Sequence, residues 1–174
     1  MLLMSRQAQQ PGRQQQERHL AVASRATYAP SGLARALRAY GAQMVSRISH
    51  TTIDCLDAYA LSMWWKEVIG YTDVPDDPNQ AGDEECMIVS PESGHRLLFI
   101  EVPDTKSGKN RLHLDLAPTN ASRDEEVERV IGLGAQQLVD RRRPDGTGWF
   151  VLADPEGNEF CILRSAAERA AAAQ

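Results

Sequence analysis

The chain has 174 residues, 42% hydrophobic and 25% charged, which suits one globular domain or two small modules sharing a core and excludes a large multidomain machine. Nineteen Lys and Arg against twenty-four Asp and Glu give a net charge of -5 and a pI near 5.4, which argues against an electrostatic nucleic-acid binder. No segment approaches the roughly 18 consecutive apolar residues of a membrane span, and the opening Met-Leu-Leu-Met is too short for a secretory apolar region. Cys55, Cys86 and Cys161 are odd in number and widely spaced with no C-x-x-C, so neither a disulfide framework nor a zinc ribbon is indicated. A soluble, unexported protein of the reducing cytoplasm, with neither nucleic-acid nor membrane partners, is expected.

The charge is unevenly distributed. Residues 1–44 hold six Arg and only Glu17, about +5, while the remaining 130 residues carry 13 basic and 23 acidic groups, about -10. The first 44 residues, rich in Gln, Arg, Ala and Ser, offer little apolar surface against an ordering cost of roughly 1 to 2 kcal/mol per residue, so a disordered basic tail is expected. Ser31 could cap a short helix over residues 33–40. An Arg-rich, acid-poor start also fits an organelle transit peptide, but an initiator at Met44 is the simpler reading. The folded domain is then expected over residues 45–164, with residues 165–174 as a C-terminal tail.

Within that domain, residues 47–55 alternate as a strand, and Asp57 caps a helix whose Leu61, Trp64, Trp65 and Val68 share one face before Gly70 stops it. Strands are predicted over residues 71–74, 86–90 and 96–102, separated by a Pro/Asp/Gly loop at 75–83 and a turn at 91–94. Residues 111–116 alternate polar and apolar. Ser122-Arg-Asp-Glu125 then forms a capping box for a helix lined by Val127, Val130 and Ile131 and ended by Gly132 to Gly134. Further strands fit 135–139, 147–153 and 158–164. The run Arg141-Arg-Arg143 beside Pro144-Asp-Gly146 reads as a solvated turn.

The second half thus repeats the first. His50 precedes Gly70 by 20 residues, His113 precedes Gly134 by 21, and Val-Ile-Gly occurs at both 68–70 and 130–132. The predicted fold is α+β: two βαβββ modules, at about 45–103 and 109–164, pairing into a curved mixed sheet with helices outside and a cavity within.

In a strand, residues two apart share a face. Leu112, Leu114 and Leu116 should therefore lie under the helices, with Arg111, His113 and Asp115 facing the cavity. The same parity sets His50 beside Thr52 and Asp54, and Glu159 beside Cys161 and Leu163. Trp149 faces the cavity if its strand is in the phase opposite to Phe150. Asp54, Arg111, Asp115, Trp149 and Glu159 are the candidate substrate contacts. Two repeat-related histidines could meet at one centre, and imidazole is a common metal ligand.

Several segments carry a family resemblance: Ser49-His-Thr-Thr-Ile-Asp-Cys55 with Asp57, Lys109-Asn-Arg-Leu-His-Leu-Asp-Leu116, Leu133-Gly-Ala135, and above all Asp154-Pro-Glu-Gly-Asn-Glu-Phe-Cys-Ile-Leu163. Over about residues 45–164 the chain resembles the vicinal oxygen chelate superfamily, which includes glyoxalase I, extradiol dioxygenases, fosfomycin-resistance enzymes and bleomycin-binding proteins. It is most similar to the glyoxalase-like branch. The resemblance implies a divalent ion held by His50 and His113, with a first-module carboxylate best matched by Glu101; a one-residue shift puts Ile100 there instead. It also implies a fourth ligand at the position of Cys161, where metal enzymes of the family usually carry Glu. Glu159 shares that face but lies two residues back, roughly 6 to 7 Å along the strand. A Cys161 thiolate with His50, His113 and Glu101 could still bind zinc, although a small buried hydrophobe is the plain alternative for Cys161.

Two functions follow. One is a metal-dependent lyase or isomerase of the glyoxalase type, using zinc, nickel, iron or manganese, with Glu101 as the catalytic carboxylate that moves the proton. The other is a metal-free protein that sequesters a drug or metabolite in the same cavity, as bleomycin-binding relatives do, and needs no cofactor. An extradiol-type dioxygenase is disfavoured by the missing Glu at 161. The partner in every case is a small molecule, and a homodimer is an arrangement that the resemblance makes available.

Overall fold

The computed structural model describes residues 45–172, and all its regular elements fall in the unit beginning at His50. The helix expected at 33–40 and the tail boundary at Met44 lie outside the described residues. The elements run β1 (Thr51–Cys55), α1 (Ala58–Ile69), β2 (Thr72–Asp73), β3 (Glu85–Val89), β4 (Arg96–Glu101), β5 (Leu114–Leu116), α2 (Arg123–Gly132), β6 (Gln136–Asp140), β7 (Phe150–Ala153), β8 (Glu159–Ile162) and α3 (Ala166–Ala171). This is an α+β fold of two βαβββ modules. Each closes its own four-stranded mixed sheet, in the orders β1-β4-β3-β2 and β5-β8-β7-β6.

Local chemistry sets the helices. Asp57, in extended conformation, accepts a hydrogen bond from Ala60 N at 2.8 Å and so satisfies one of the free amides of the α1 terminus. Gly70 ends the helix at φ 68°, a left-handed angle that a side chain would strain, and returns its N–H to Lys66 O. The capping box of α2 is complete, with Ser122 and Glu125 bonding each other's backbone N–H.

Parallel pairing of the first and last strand of each module decides which side chains share a face. Ile53 stands opposite Phe99 in the β1–β4 ladder, and both join the core beneath α1. Thr52 and Asp54, opposite Leu98 and Ile100, therefore look the other way. In the second module Phe160 and Ile162 are fully buried, which sends Asp115 and its partner Cys161 to the opposite face. The helix-side faces of both sheets contribute to one core. Trp65 packs edge-on to Phe160 at 5.2 Å, and Trp64 packs on both and donates from Nε1 to Leu133 O.

Most strands are shorter than the sequence predicts, β7 and β8 among them. β1 starts at Thr51 and not at Arg47, β2 is two residues long, and β5 starts at Leu114. Leu112 is accordingly 85% exposed and does not lie under the helices. Alternation orients a side chain only where a ladder holds the backbone, and the β5–β8 ladder begins at Leu114 opposite Phe160. On α2, Val127 and Val130 are buried while Ile131 is 38% exposed.

The β6–β7 hairpin is held from beneath by a buried arginine. Arg123 points its Nη1 at the carbonyls of Gly146, Thr147 and Gly148, while Arg142 bridges Asp124 and Asp140 on the surface. Gly148 has φ 92°, and a Cβ there would overlap the Arg141 carbonyl. Gly148→Ala is expected to cost about 2 kcal/mol through strain and the displaced carbonyl. Chemical denaturation reads this directly, and a loss under about 0.5 kcal/mol, the range of ordinary surface changes, would show that the hairpin yields freely.

Candidate functional site

The side chains that face away from the core of the second module bring three metal-ligating groups together. Asp115 and Cys161 are cross-strand partners on β5 and β8, and His113 stands two residues before Asp115. The ligand atoms of His113, Asp115 and Cys161 all lie within 4.8 Å of one another, and His113 Nε2 is 3.3 Å from Asp115 Oδ1. His113 and Asp115 are open to solvent, whereas Cys161 is 4% exposed. Burial, followed by the adjoining Asp115 carboxylate, pushes the Cys161 thiol up to about 11. Its sulfur is therefore a protonated thiol at neutral pH.

A cavity of about 550 Å³ adjoins the cluster. One wall is β1, another the 104–114 segment that links the modules, and a third residues 156–160, with the almost wholly buried Trp65 behind them. The walls are tied by carboxylates. Glu156 accepts from Leu56 N at 2.7 Å and Asp57 N at 3.0 Å, which fastens the Asp154–Gly157 turn to the start of α1. Asp154, with no exposed surface, accepts from Trp65 Nε1, Glu156 N, Asn158 N and Asn158 Nδ2. Glu159 accepts from Asn110 N at 2.9 Å and pairs with Lys106 at 3.4 Å. Burial alone would raise the Glu159 pKa, but these donors outweigh it and hold the carboxyl below its ordinary range.

The residues singled out from the sequence are thus distributed as follows. His113, Asp115 and Cys161 converge; Asp54, Arg111, His113 and Glu159 line the cavity. His50, half-buried just before β1, is outside both the three-residue cluster and the cavity lining. Glu101 is exposed and continues the face of Leu97 and Phe99, and Ile100 takes the face shared with Asp54. Trp149 is 39% exposed and precedes Phe150, which is buried in the core, so its phase is opposite to that residue. It does not line the cavity. Asp115 appeared in the sequence as a substrate contact; its place beside Cys161 follows from a parallel register that alternation alone cannot supply. Asn110, Asn158 and Lys106 were not singled out by chemistry, although the first two fall in motif segments.

The family model of the glyoxalase-like domain matches residues 50–163. The chain belongs to this family. Among solved structures, the glyoxalase-like domain is similar to a mutant of the fosfomycin resistance protein FosX from Listeria monocytogenes, complexed with Mn(II) and 1S,2S-dihydroxypropylphosphonic acid. The two share 20% identity and a TM-score of 0.55 over 72% of this chain and 95% of that one. FosX from Mesorhizobium loti gives 17% identity and a TM-score of 0.51 over 74% and 99%. A glyoxalase/bleomycin resistance protein/dioxygenase family enzyme from Burkholderia phytofirmans PsJN gives 18% and 0.51 over 65% and 94%. At these identities the likeness is one of fold. No curated protein matches the sequence. Among the described residues no helix is long and apolar enough to cross a membrane.

Proposed function

We propose that this glyoxalase-like domain binds a small molecule beside the second sheet, with a divalent ion held by His113, Asp115 and Cys161, and acts as a metal-dependent lyase or isomerase. The observation that carries the reading is the convergence of an imidazole, a carboxylate and a thiol within 4.8 Å on the face turned away from the core. A tetrahedral ion with bonds of about 2.0 to 2.3 Å wants its donors roughly 3.3 to 3.8 Å apart, so the cluster needs to close by about 1 Å. Three protein donors leave a fourth position for a substrate oxygen. The thiol favours zinc over the harder manganese that the Listeria FosX structure contains.

Such an ion supplies Lewis-acid polarisation of a bound oxygen. The chain supplies the rest. Arg111 and Asp54 flank the cavity and orient polar substituents, Ile53 and Leu114 offer apolar contact, and Asp54, an exposed carboxylate in the same wall, is placed to take up a proton. Glu159 is less suited to that role because its Oε2 is already shared by Asn110 N and Lys106, which hold the carboxyl below its ordinary range.

The test is metal analysis of protein purified without a His tag, together with thermal unfolding on addition of zinc, nickel, iron or manganese. A free ion at a hundred times its dissociation constant adds about 2.7 kcal/mol to native stability, which is a rise of several degrees for a domain of this size. Near-stoichiometric zinc and such a rise are expected; neither metal nor a rise would overturn the metal reading. The binding-protein reading then takes its place, supported by the pairing of His113 with Asp115 and the burial of Cys161.

A further inference from the structure

The amide groups around the cavity form a directed chain whose end is left without a partner. Trp65 Nε1, Glu156 N and Asn158 N can only donate, and all three point at Asp154. Asn158 also turns its Nδ2 toward Asp154 Oδ2 at 3.1 Å, because a carboxylate surrounded by donors is an acceptor. Its own Oδ1 is therefore the acceptor for Asn110 Nδ2 at 3.2 Å, and the Asn110 amide cannot be reversed without opposing two oxygens. Asn110 Oδ1 is left buried, and among the described residues no donor reaches it. A buried acceptor without a partner is costly, and native proteins keep few of them.

The surroundings specify what would satisfy it. Asn110 sits in the wall of the 550 Å³ cavity, on the linker between the modules. The carboxylates nearest in the network already have donors: Glu159 Oε2 has Asn110 N and Lys106, and Glu156 has two backbone N–H groups. A second cavity, of about 630 Å³ beside Tyr71, His95 and Arg129, has no comparable orphan. There Tyr71 bonds His95, and Arg129 bonds Glu126 and the carbonyls of Glu67 and Val68.

We infer that Asn110 Oδ1 is the ligand-selecting acceptor of the first cavity, and that the cavity takes a molecule with an apolar body and one O–H or N–H donor. The body packs on the half-buried Ile53 and Leu114, and the donor meets Asn110 Oδ1 once the linker exposes it. This rests on the reading of the cavity as a small-molecule site and is independent of the metal.

The experiment titrates the full ¹⁵N-labelled chain, with excess chelator present, with phenol and separately with anisole, which has a similar body but no donor. Phenol is expected to shift the amide signals of Asn110 and its neighbours and of β1, with an affinity about tenfold above that of anisole, the equivalent of about 1.4 kcal/mol. In Asn110→Ala the ratio should fall to about one; Asn110→Ser serves if the alanine variant does not fold, and the wild-type ratio decides without either. Equal affinities would overturn the inference, showing a cavity indifferent to donors with an ordered water on Asn110, and would leave the small-molecule reading standing. Absence of any shift at these amides up to the solubility limit of both compounds would overturn the inference and the cavity reading together, while metal uptake remains a separate measurement.

Discussion

Zinc affinity is expected to fall about a hundredfold or more in Cys161→Ala and in His113→Ala, since loss even of groups that only support a metal ligand costs ten- to a hundredfold. Isothermal titration or competition with a chromophoric chelator measures it. Cobalt gives a complementary signal, because a thiolate ligand produces sulfur-to-metal charge-transfer absorption that Cys161→Ala must abolish. Cys161→Glu is expected to keep a site but to move its preference toward harder ions such as manganese. His50→Ala and Glu101→Ala are expected to leave zinc affinity within about twofold, as changes outside the cluster do. Neither residue belongs to the donor group on this chain. If His50→Ala were instead to abolish binding, the ligand set would differ from the one read here, and a second copy of the chain would be the first source to examine. In the metal-free state Cys161→Ala should cost only about 1 kcal/mol, the removal of a small buried side chain, so loss of affinity cannot be ascribed to unfolding.

The largest stability effect is expected at Asp154. Asp154→Ala removes a fully buried carboxylate that accepts four hydrogen bonds and leaves the Trp65 indole N–H, two backbone amides and the Asn158 side chain to find other partners. A cost of about 3 to 5 kcal/mol is expected, from the desolvated donors it abandons and the packing it disturbs. That is a large share of the roughly 5 to 15 kcal/mol stabilising a typical domain. Urea denaturation at neutral pH gives the number. A cost below about 1 kcal/mol would show that the Asp154–Gly157 turn holds its shape through Gly157 and the backbone alone. Because burial raises the Asp154 pKa, Asp154→Asn separates charge from shape: it keeps the volume but sets an NH₂ against obligate donors. It is therefore expected to recover only part of the loss.

These two predictions fall on residues of different legibility. Asp154 stands in the most recognisable segment of the sequence, yet reads there as a turn motif only. Its bond to Trp65, 89 positions earlier, makes it one of the points where the second module fastens to the first helix. The His113, Asp115 and Cys161 cluster was partly legible. His113 and Cys161 were picked out by alternation and resemblance, and Asp115 by alternation as a cavity residue. What no local pattern supplies is the β5–β8 register that sets Asp115 directly across from Cys161. Glu101 shows the same limit from the other side. Parity allowed either Glu101 or Ile100, and the β1–β4 register, with Phe99 drawn into the core opposite Ile53, gives the face shared with Asp54 to Ile100.

Features whose cause lies within a few residues could be read from the chain alone. The Asp57 cap, the Gly70 stop and the Ser122–Glu125 box are single-turn hydrogen-bond devices, and the repeated strand, helix and three strands declare the α+β module twice. Tertiary structure decided where the ladders begin, which face each strand end shows, and which polar groups meet. Those depend on the pairing of strands 40 or more residues apart, and on a core that fixes their register by burying one face. Length and composition, the coarsest properties of the sequence, bounded the molecule to one globular domain or two small modules sharing a core. The 128 described residues do contain both modules, but only their packing places His113, Asp115 and Cys161 within reach of one ion and leaves Asn110 turned toward a missing donor.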